Sequence, residues 1–226
     1  MHRWDDVVVE PPVIPGTLYA AGLNYMQHIR DNAAQFGIKP VPPDAPELGL
    51  RAPSALVGHG ADVIIPADAS DSVQYEAELV VVIGKKTRNV TPAQALDHVF
   101  GYTIGNDASI RDWQKSDRTQ FRSKNCDTFK PMGPWIETDF DVSKAITTVR
   151  VNGQQTLRFP TGEMIFGAAD FISRTSRYAT LHPGDVVWMG TDGVSPNLKH
   201  GDVVEIDIAG IGTLRNRFIR EGQPVT

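Results

Sequence analysis

Glu76 and Glu78 stand one residue apart in QYEAELVVVIG (74–84), at the start of an apolar run from Leu79 to Ile83. If that run is a strand, residues two apart share a face, about 6.6–6.8 Å apart along the chain. The two carboxylates then point together, on the face that Val80 and Val82 continue. Like charges converging in a partly dry place raise each other's pKa or need a cation. An edge strand whose face begins in solvent would show the same E-x-E, and these two residues alone leave that alternative open. Asp107 adds a third carboxylate, at the end of YTIGND (102–107), where a chain can reach into a site. Its alternative role is to cap a helical turn beginning at SIRD (109–112). Three carboxylates without His or Cys select a hard ion, Mg²⁺ or Mn²⁺, with Ca²⁺ also admitted.

Other residues could act beside such an ion. His28 and Asp31 are spaced i, i+3 on a candidate helix and share a face. A carboxylate there can fix the imidazole tautomer and make the histidine a base for water; a solvated surface pair has the same spacing. Arg111 and Lys124 flank the Asp107 region and could hold a substrate carboxylate, although exposure is the usual fate of both residue types. MGTDGVSP (189–196) ends a strand with small groups suited to close approach by a ligand, or with a tight turn.

Positioning these residues falls to a strand-rich chain. The 226 residues are 41% hydrophobic, ordinary for a globular protein. A net charge of −5 offers no basic field for nucleic acid. The lone cysteine, Cys126, forms no internal disulfide, and the charged start MHRWDD is followed by no secretory apolar core. No run approaches the ~20 apolar residues that span a bilayer, so a cytoplasmic protein without membrane partners is expected. Short strands are predicted at 16–25, on both sides of a turn in 55–66, and at 75–83, 100–107 and 184–190. Hairpins are predicted at 146–156, around Asn152-Gly153, and at 201–219. Helices are predicted at 26–37, 91–99 and 164–180, with a helical turn from 108. Four prolines make 38–49 a loop, and residues 26–50 together a candidate mobile lid. No domain boundary interrupts residues 1–226. The fold class is α+β, mostly β.

Nine segments, in order from about residue 18 to 219, carry a resemblance: AGLNYMQHIRD, APSALVGHG, YEAELVVVIGK, GYTIGNDASIRDWQ, SKNCDTFKPMGPW, VNGQ, TGEMIF, TLHPGDVVWMGT and GDVVEIDIAGIGTLRNR. The chain resembles the fumarylacetoacetate hydrolase superfamily, in its short single-domain members. The resemblance implies a mixed β-sandwich roll around a metal site, and homodimers. It implies Mg²⁺ or Mn²⁺ on Glu76, Glu78 and Asp107, with Lys124 as a substrate contact beside the ion. It further implies that Arg111, Gln114 and Thr191 bind substrate, and that His28 with an acid three residues on activates water from a lid helix. That acid is commonly Glu, and here it is Asp31. The usual T-G-T-P loop reads MGTD here. The chemistry implied is hydrolysis of a C–C bond in a 2,4-dioxo acid of the acylpyruvate or fumarylpyruvate type. The alternatives are decarboxylation, isomerisation or tautomerisation of a 2-oxo dicarboxylate, because one enolate serves them all. A non-catalytic module holding a structural Ca²⁺ is the rival from another class.

Overall fold

Fourteen strands and five short α-helices make up the computed structural model, which describes residues 7–37 and 39–224. The charged N-terminal stretch 1–6 lies outside the described residues, as does Ile38 in the candidate lid. In chain order the strands are β1 (Leu18–Ala21), β2 (Leu48–Arg51), β3 (Leu56–Val57), β4 (Asp62–Ile65), β5 (Val73–Gln74), β6 (Ala77–Ile83), β7 (Val99–Asn106), β8 (Ser109–Ile110), β9 (Lys130–Glu137), β10 (Ile146–Val151), β11 (Gln154–Pro160), β12 (Val186–Trp188), β13 (Val203–Ile208) and β14 (Gly212–Arg220). The helices are α1 (Met26–Phe36), α2 (Pro92–Ala95), α3 (Arg111–Gln114), α4 (Phe121–Lys124) and α5 (Ala168–Ser176). None is long and apolar enough to cross a membrane.

A seven-stranded sheet runs β2-β1-β12-β6-β7-β9-β3, a five-stranded sheet runs β11-β10-β13-β14-β4, and β5 pairs with β8. The continuous apolar run of β6 follows from its place between β12 and β7, with apolar residues on both faces. Leu79, Val81 and Ile83 enter the main core, while Val80 and Val82 join a second cluster with Leu18, Met132 and Trp188. Each such side chain is worth about 1.5–3 kcal/mol when fully buried. β13 and β14 alternate, with Val204, Ile206 and Ile208 inward. Asn152 and Gly153 both take positive φ (53° and 79°), the backbone of a two-residue hairpin turn between β10 and β11. Helix α1 stops at Gly37, whose left-handed backbone lets its N–H donate to the Ala33 carbonyl.

The mostly β, α+β architecture is the one predicted; several boundaries move. The loop predicted to 49 ends in strand β2, because residues 48–51 pair antiparallel with β1. Glu76 precedes β6 instead of lying within it. The helix predicted over 164–180 shortens to α5, because Asn24 takes the backbone ahead of it: its carbonyl accepts from Ile165 N–H (2.8 Å) and its Oδ1 from Phe166 N–H (3.0 Å). The segments on either side of the 55–66 turn enter different sheets, β3 beside β9 and β4 beside β14.

Candidate active site

The pairing of β6 with β7 brings the carboxylates together. Ala77 lies opposite Asn106 and Glu78 opposite Gly105, so the residue before β6 meets the residue after β7. Asp107 N–H donates to the Glu76 carbonyl at 2.9 Å, and Glu76 N–H donates to Asn106 Oδ1 at 3.1 Å. One carboxylate oxygen each from Glu76, Glu78 and Asp107 lie within 4.8 Å of one another, and all three residues are buried. Asp107 caps no helix: α3 begins at Arg111 after Ile110, without a side-chain cap. Gly105 makes room for this arrangement, since a Cβ there would come within 2.7 Å of the Trp188 ring.

Four cations surround two of the three acids. Glu76 accepts from Arg111 Nη1 (2.6 Å) and from Lys124 Nζ (2.5 Å). Asp107 accepts from the Arg51 fork (2.9 Å to Nη2), Lys124 Nζ (2.9 Å) and Lys130 Nζ (2.6 Å). Burial opposes ionisation of Glu76, but Lys124 and Arg111 outweigh it and hold the pKa at about 2. Burial likewise opposes ionisation of Asp107, and Arg51, Lys124 and Lys130 outweigh it, keeping the acid well below the usual carboxylate range. Glu78 differs. Its partner is a neutral donor, the Gly190 N–H at 2.7 Å. Burial, then the charges of Asp107 and Glu76, push its pKa up to about 8. Burial also pushes Lys130 down to about 8, against the pull of Asp107. A buried carboxylate without its own cation, next to two ionised ones, is what a hard divalent ion satisfies. The three acids can hold such an ion.

Beside the acids lies a cavity of 1360 Å³. Every side chain predicted for the site lines it except Asp107, which sits behind the wall at 1% exposure. Lys124 ends α4 and points its ammonium between Glu76 and Asp107. Arg111 is braced by Gln74 Oε1 (2.8 Å) and by Gln114 Oε1 (3.2 Å), so Gln114 meets the cavity as a partner of Arg111. The hydroxyls of Thr191 and Ser195 are buried without hydrogen-bond partners among the described residues, and both residues line the cavity. An unmade bond on a buried hydroxyl costs about 1–3 kcal/mol, which a ligand oxygen would offset.

The expected His28–Asp31 pair is replaced by other bonds. His28 Nδ1 lies 2.5 Å from the Gly193 carbonyl, whereas Asp31 Oδ1 accepts from Gln27 Nε2 at 2.8 Å. The short aspartate is taken by a residue one turn back on α1. A carbonyl only accepts, so Nδ1 carries a proton, and among the described residues Nε2 has no hydrogen-bond partner. Arg51 and Lys130 are absent from the sequence-derived site. Lys130 opens a strand that is apolar from Pro131 to Ile136 and is 0% exposed; a lysine at that place was the available signal. Arg51 gave none, because its partner is 56 residues away.

Residues 17–219 match the family model described as fumarylacetoacetate (FAA) hydrolase C-terminal. A 4-hydroxyphenylacetate degradation bifunctional isomerase/decarboxylase of Salmonella dublin is 37% identical, over 91% of this chain and 47% of that protein. The crystal structure of 2-hydroxyhepta-2,4-diene-1,7-dioate isomerase from Mycobacterium marinum superposes with a TM-score of 0.86 at 37% identity, over 97% of this chain and 80% of that one. That of 5-carboxymethyl-2-hydroxymuconate delta-isomerase from Mycobacterium smegmatis gives 0.87 at 37% identity, over 99% and 87%.

Proposed function

We propose that this chain, which belongs to the fumarylacetoacetate hydrolase family, isomerises or decarboxylates a 2-oxo dicarboxylate through an enolate, with Mg²⁺ or Mn²⁺ as its cofactor. The observation that carries this is the convergence of three buried carboxylates and four cations beside a cavity that also holds a histidine with free Nε2. An ion held by Glu76, Glu78 and Asp107 would supply Lewis acidity to the substrate's 2-oxo oxygen.

The chain's own residues do the rest. Lys124 places positive charge beside the same acids, where an enolate oxygen would gather charge. Arg111, whose Nε bonds Gln74 and whose Nη1 bonds Gln114 and Glu76, keeps Nη2 to donate to a substrate carboxylate. Thr191 and Ser195 offer hydroxyls for further oxygens. Lys115 and Arg118 also line the cavity and suit a second, distal carboxylate. His28 Nε2 takes a proton from one carbon and returns it at another in an isomerisation. In a decarboxylation the C–C bond breaks, its electron pair enters the enolate, CO₂ leaves and a proton is added to carbon.

Two solved relatives bear isomerase names and the Salmonella dublin protein an isomerase/decarboxylase name, which supports this chemistry over hydrolysis. Hydrolysis of an acylpyruvate is the second reading, favoured by the free Nε2 of His28 as a base for water. The test is turnover of oxaloacetate, 2-hydroxyhepta-2,4-diene-1,7-dioate and acylpyruvates with Mg²⁺ or Mn²⁺, with products identified by mass. An isomer or a loss of CO₂ supports the first reading. Uptake of water with release of pyruvate from an acylpyruvate, and no turnover of the dicarboxylates, would replace it by the second.

A further inference from the structure

Helix α1 carries His28, yet it starts without local support. Tyr25 at its N-cap makes no side-chain capping bond, and the first turn holds no acid. His28 is the third residue of α1, so its backbone N–H is among the four that no helical carbonyl can accept. The loop after β12 supplies what is missing. Asp192 Oδ1 accepts the His28 N–H at 3.1 Å, and the next residue, Gly193, accepts from His28 Nδ1. A carboxylate at this end also complements the positive end of the helix. One turn thus grips both the backbone and the ring of a single residue.

That turn depends on a glycine. Gly193 has φ +61°, and a Cβ there would lie 2.8 Å from Leu157 Cδ1. Only glycine sits there without strain or a clash. Upstream, Gly190 N–H holds Glu78 Oε2, and the Met189 carbonyl accepts from Asn24 Nδ2 at 2.8 Å, just ahead of α1. Residues 189–193 therefore join the helix that bears His28 to one of the three carboxylates. Asp192 itself is not among the residues lining the cavity.

We infer that Asp192 is a positioning residue: with the Gly193 carbonyl it fixes α1 and the His28 ring so that Nε2 is the nitrogen presented to substrate. Asp31, three residues after His28, does not perform this task. The inference rests on the reading of His28 as the proton carrier, and the test separates the two. Hydrogen exchange at residues 26–29 and the His28 tautomer, read by ¹⁵N NMR, are measured without substrate in Asp192→Ala, Asp192→Asn and Asp31→Ala. The kcat, KM and Mn²⁺ affinity are measured on the same proteins. Asp192→Ala speeds exchange about fivefold or more and lowers kcat about ten- to a hundredfold. Its KM and Mn²⁺ affinity stay within about twofold, because it touches neither substrate nor the carboxylates. Asp192→Asn, whose amide oxygen still accepts, stays near wild type, as does Asp31→Ala in exchange and tautomer. In a His28→Ala background Asp192→Ala removes nothing further from kcat. Unchanged exchange and unchanged kcat in Asp192→Ala would overturn the inference, as would a kcat loss that persists in full without His28. Wild-type turnover in His28→Ala alone would sink the proton-carrier reading instead, and exchange would still decide whether Asp192 caps α1.

Discussion

Metal uptake should release one proton, and that proton should come from Glu78. Glu76 and Asp107 each face fixed cations at 2.5–2.9 Å and are ionised at any pH where the protein is handled. Among the described residues Glu78 has only the Gly190 N–H, and its pKa stands at about 8. At about pH 7 roughly one molecule in ten then carries Glu78 as the carboxylate, so binding an ion expels about 0.9 proton. The sign follows directly: a carboxyl with a raised pKa binds metal poorly below that value, and affinity rises with pH until the pKa is passed. Between about pH 8.5 and about pH 6.5 the apparent Kd for Mn²⁺ should weaken about 25-fold, with a limiting slope of one proton. Titration calorimetry in buffers of different ionisation enthalpy counts the protons directly. Glu78→Gln should abolish the release along with most of the affinity. A flat Kd over this range, with no proton released at about pH 7, would refute the electrostatic account of Glu78. A slope near three would show that the cations do not hold Glu76 and Asp107 ionised.

Other consequences are as easily checked. Lys124→Ala should slow oxaloacetate decarboxylation more than His28→Ala does, whereas His28→Ala should cost acylpyruvate hydrolysis about 10²–10⁴-fold; steady-state rates with both substrates decide, and the reverse order contradicts the assigned roles. Gly105→Ala drives a Cβ to 2.7 Å from the Trp188 ring and 2.8 Å from Val80. It should destabilise the fold by about 1–3 kcal/mol in urea unfolding, and because residue 105 pairs with Glu78 it should also weaken Mn²⁺ binding. If residues 26–50 act as a lid, oxalate with Mg²⁺ should protect them from limited proteolysis; equal cleavage with and without oxalate counts against a lid.

Much of this was legible in the sequence, for physical reasons that also mark where legibility ends. Strand periodicity placed Glu76 and Glu78 on one side, since i and i+2 on extended backbone must share a face. The apolar run after them could belong only to a central strand or a buried helix segment, and β-branched Val80, Val81 and Val82 decided for the strand. Asn152-Gly153 and Gly37 announced their turns through the positive φ that those residues tolerate. The meeting of Glu78 with Asp107 could not be read from spacing, because it depends on the β6–β7 register; the family resemblance supplied it. What stayed hidden lies in single long-range contacts: Arg51 to Asp107, Gly190 to Glu78 and Asp192 to His28 cross 56, 112 and 164 positions. The His28–Asp31 pairing shows the limit of spacing arguments. Sharing a helix face permits a bond, and Gln27 and Gly193 were nearer in space.

The proposed chemistry requires that Glu76, Glu78 and Asp107 together hold a single divalent ion. Mn²⁺ titration calorimetry at about pH 8, on the wild type and on Glu76→Gln, Glu78→Gln and Asp107→Asn, tests it most directly, with circular dichroism confirming that each variant is folded. The prediction is one ion per chain in the wild type and an affinity lower by at least about tenfold in every variant. Folded variants that bind Mn²⁺ as the wild type does, or a wild type that binds none, would contradict it.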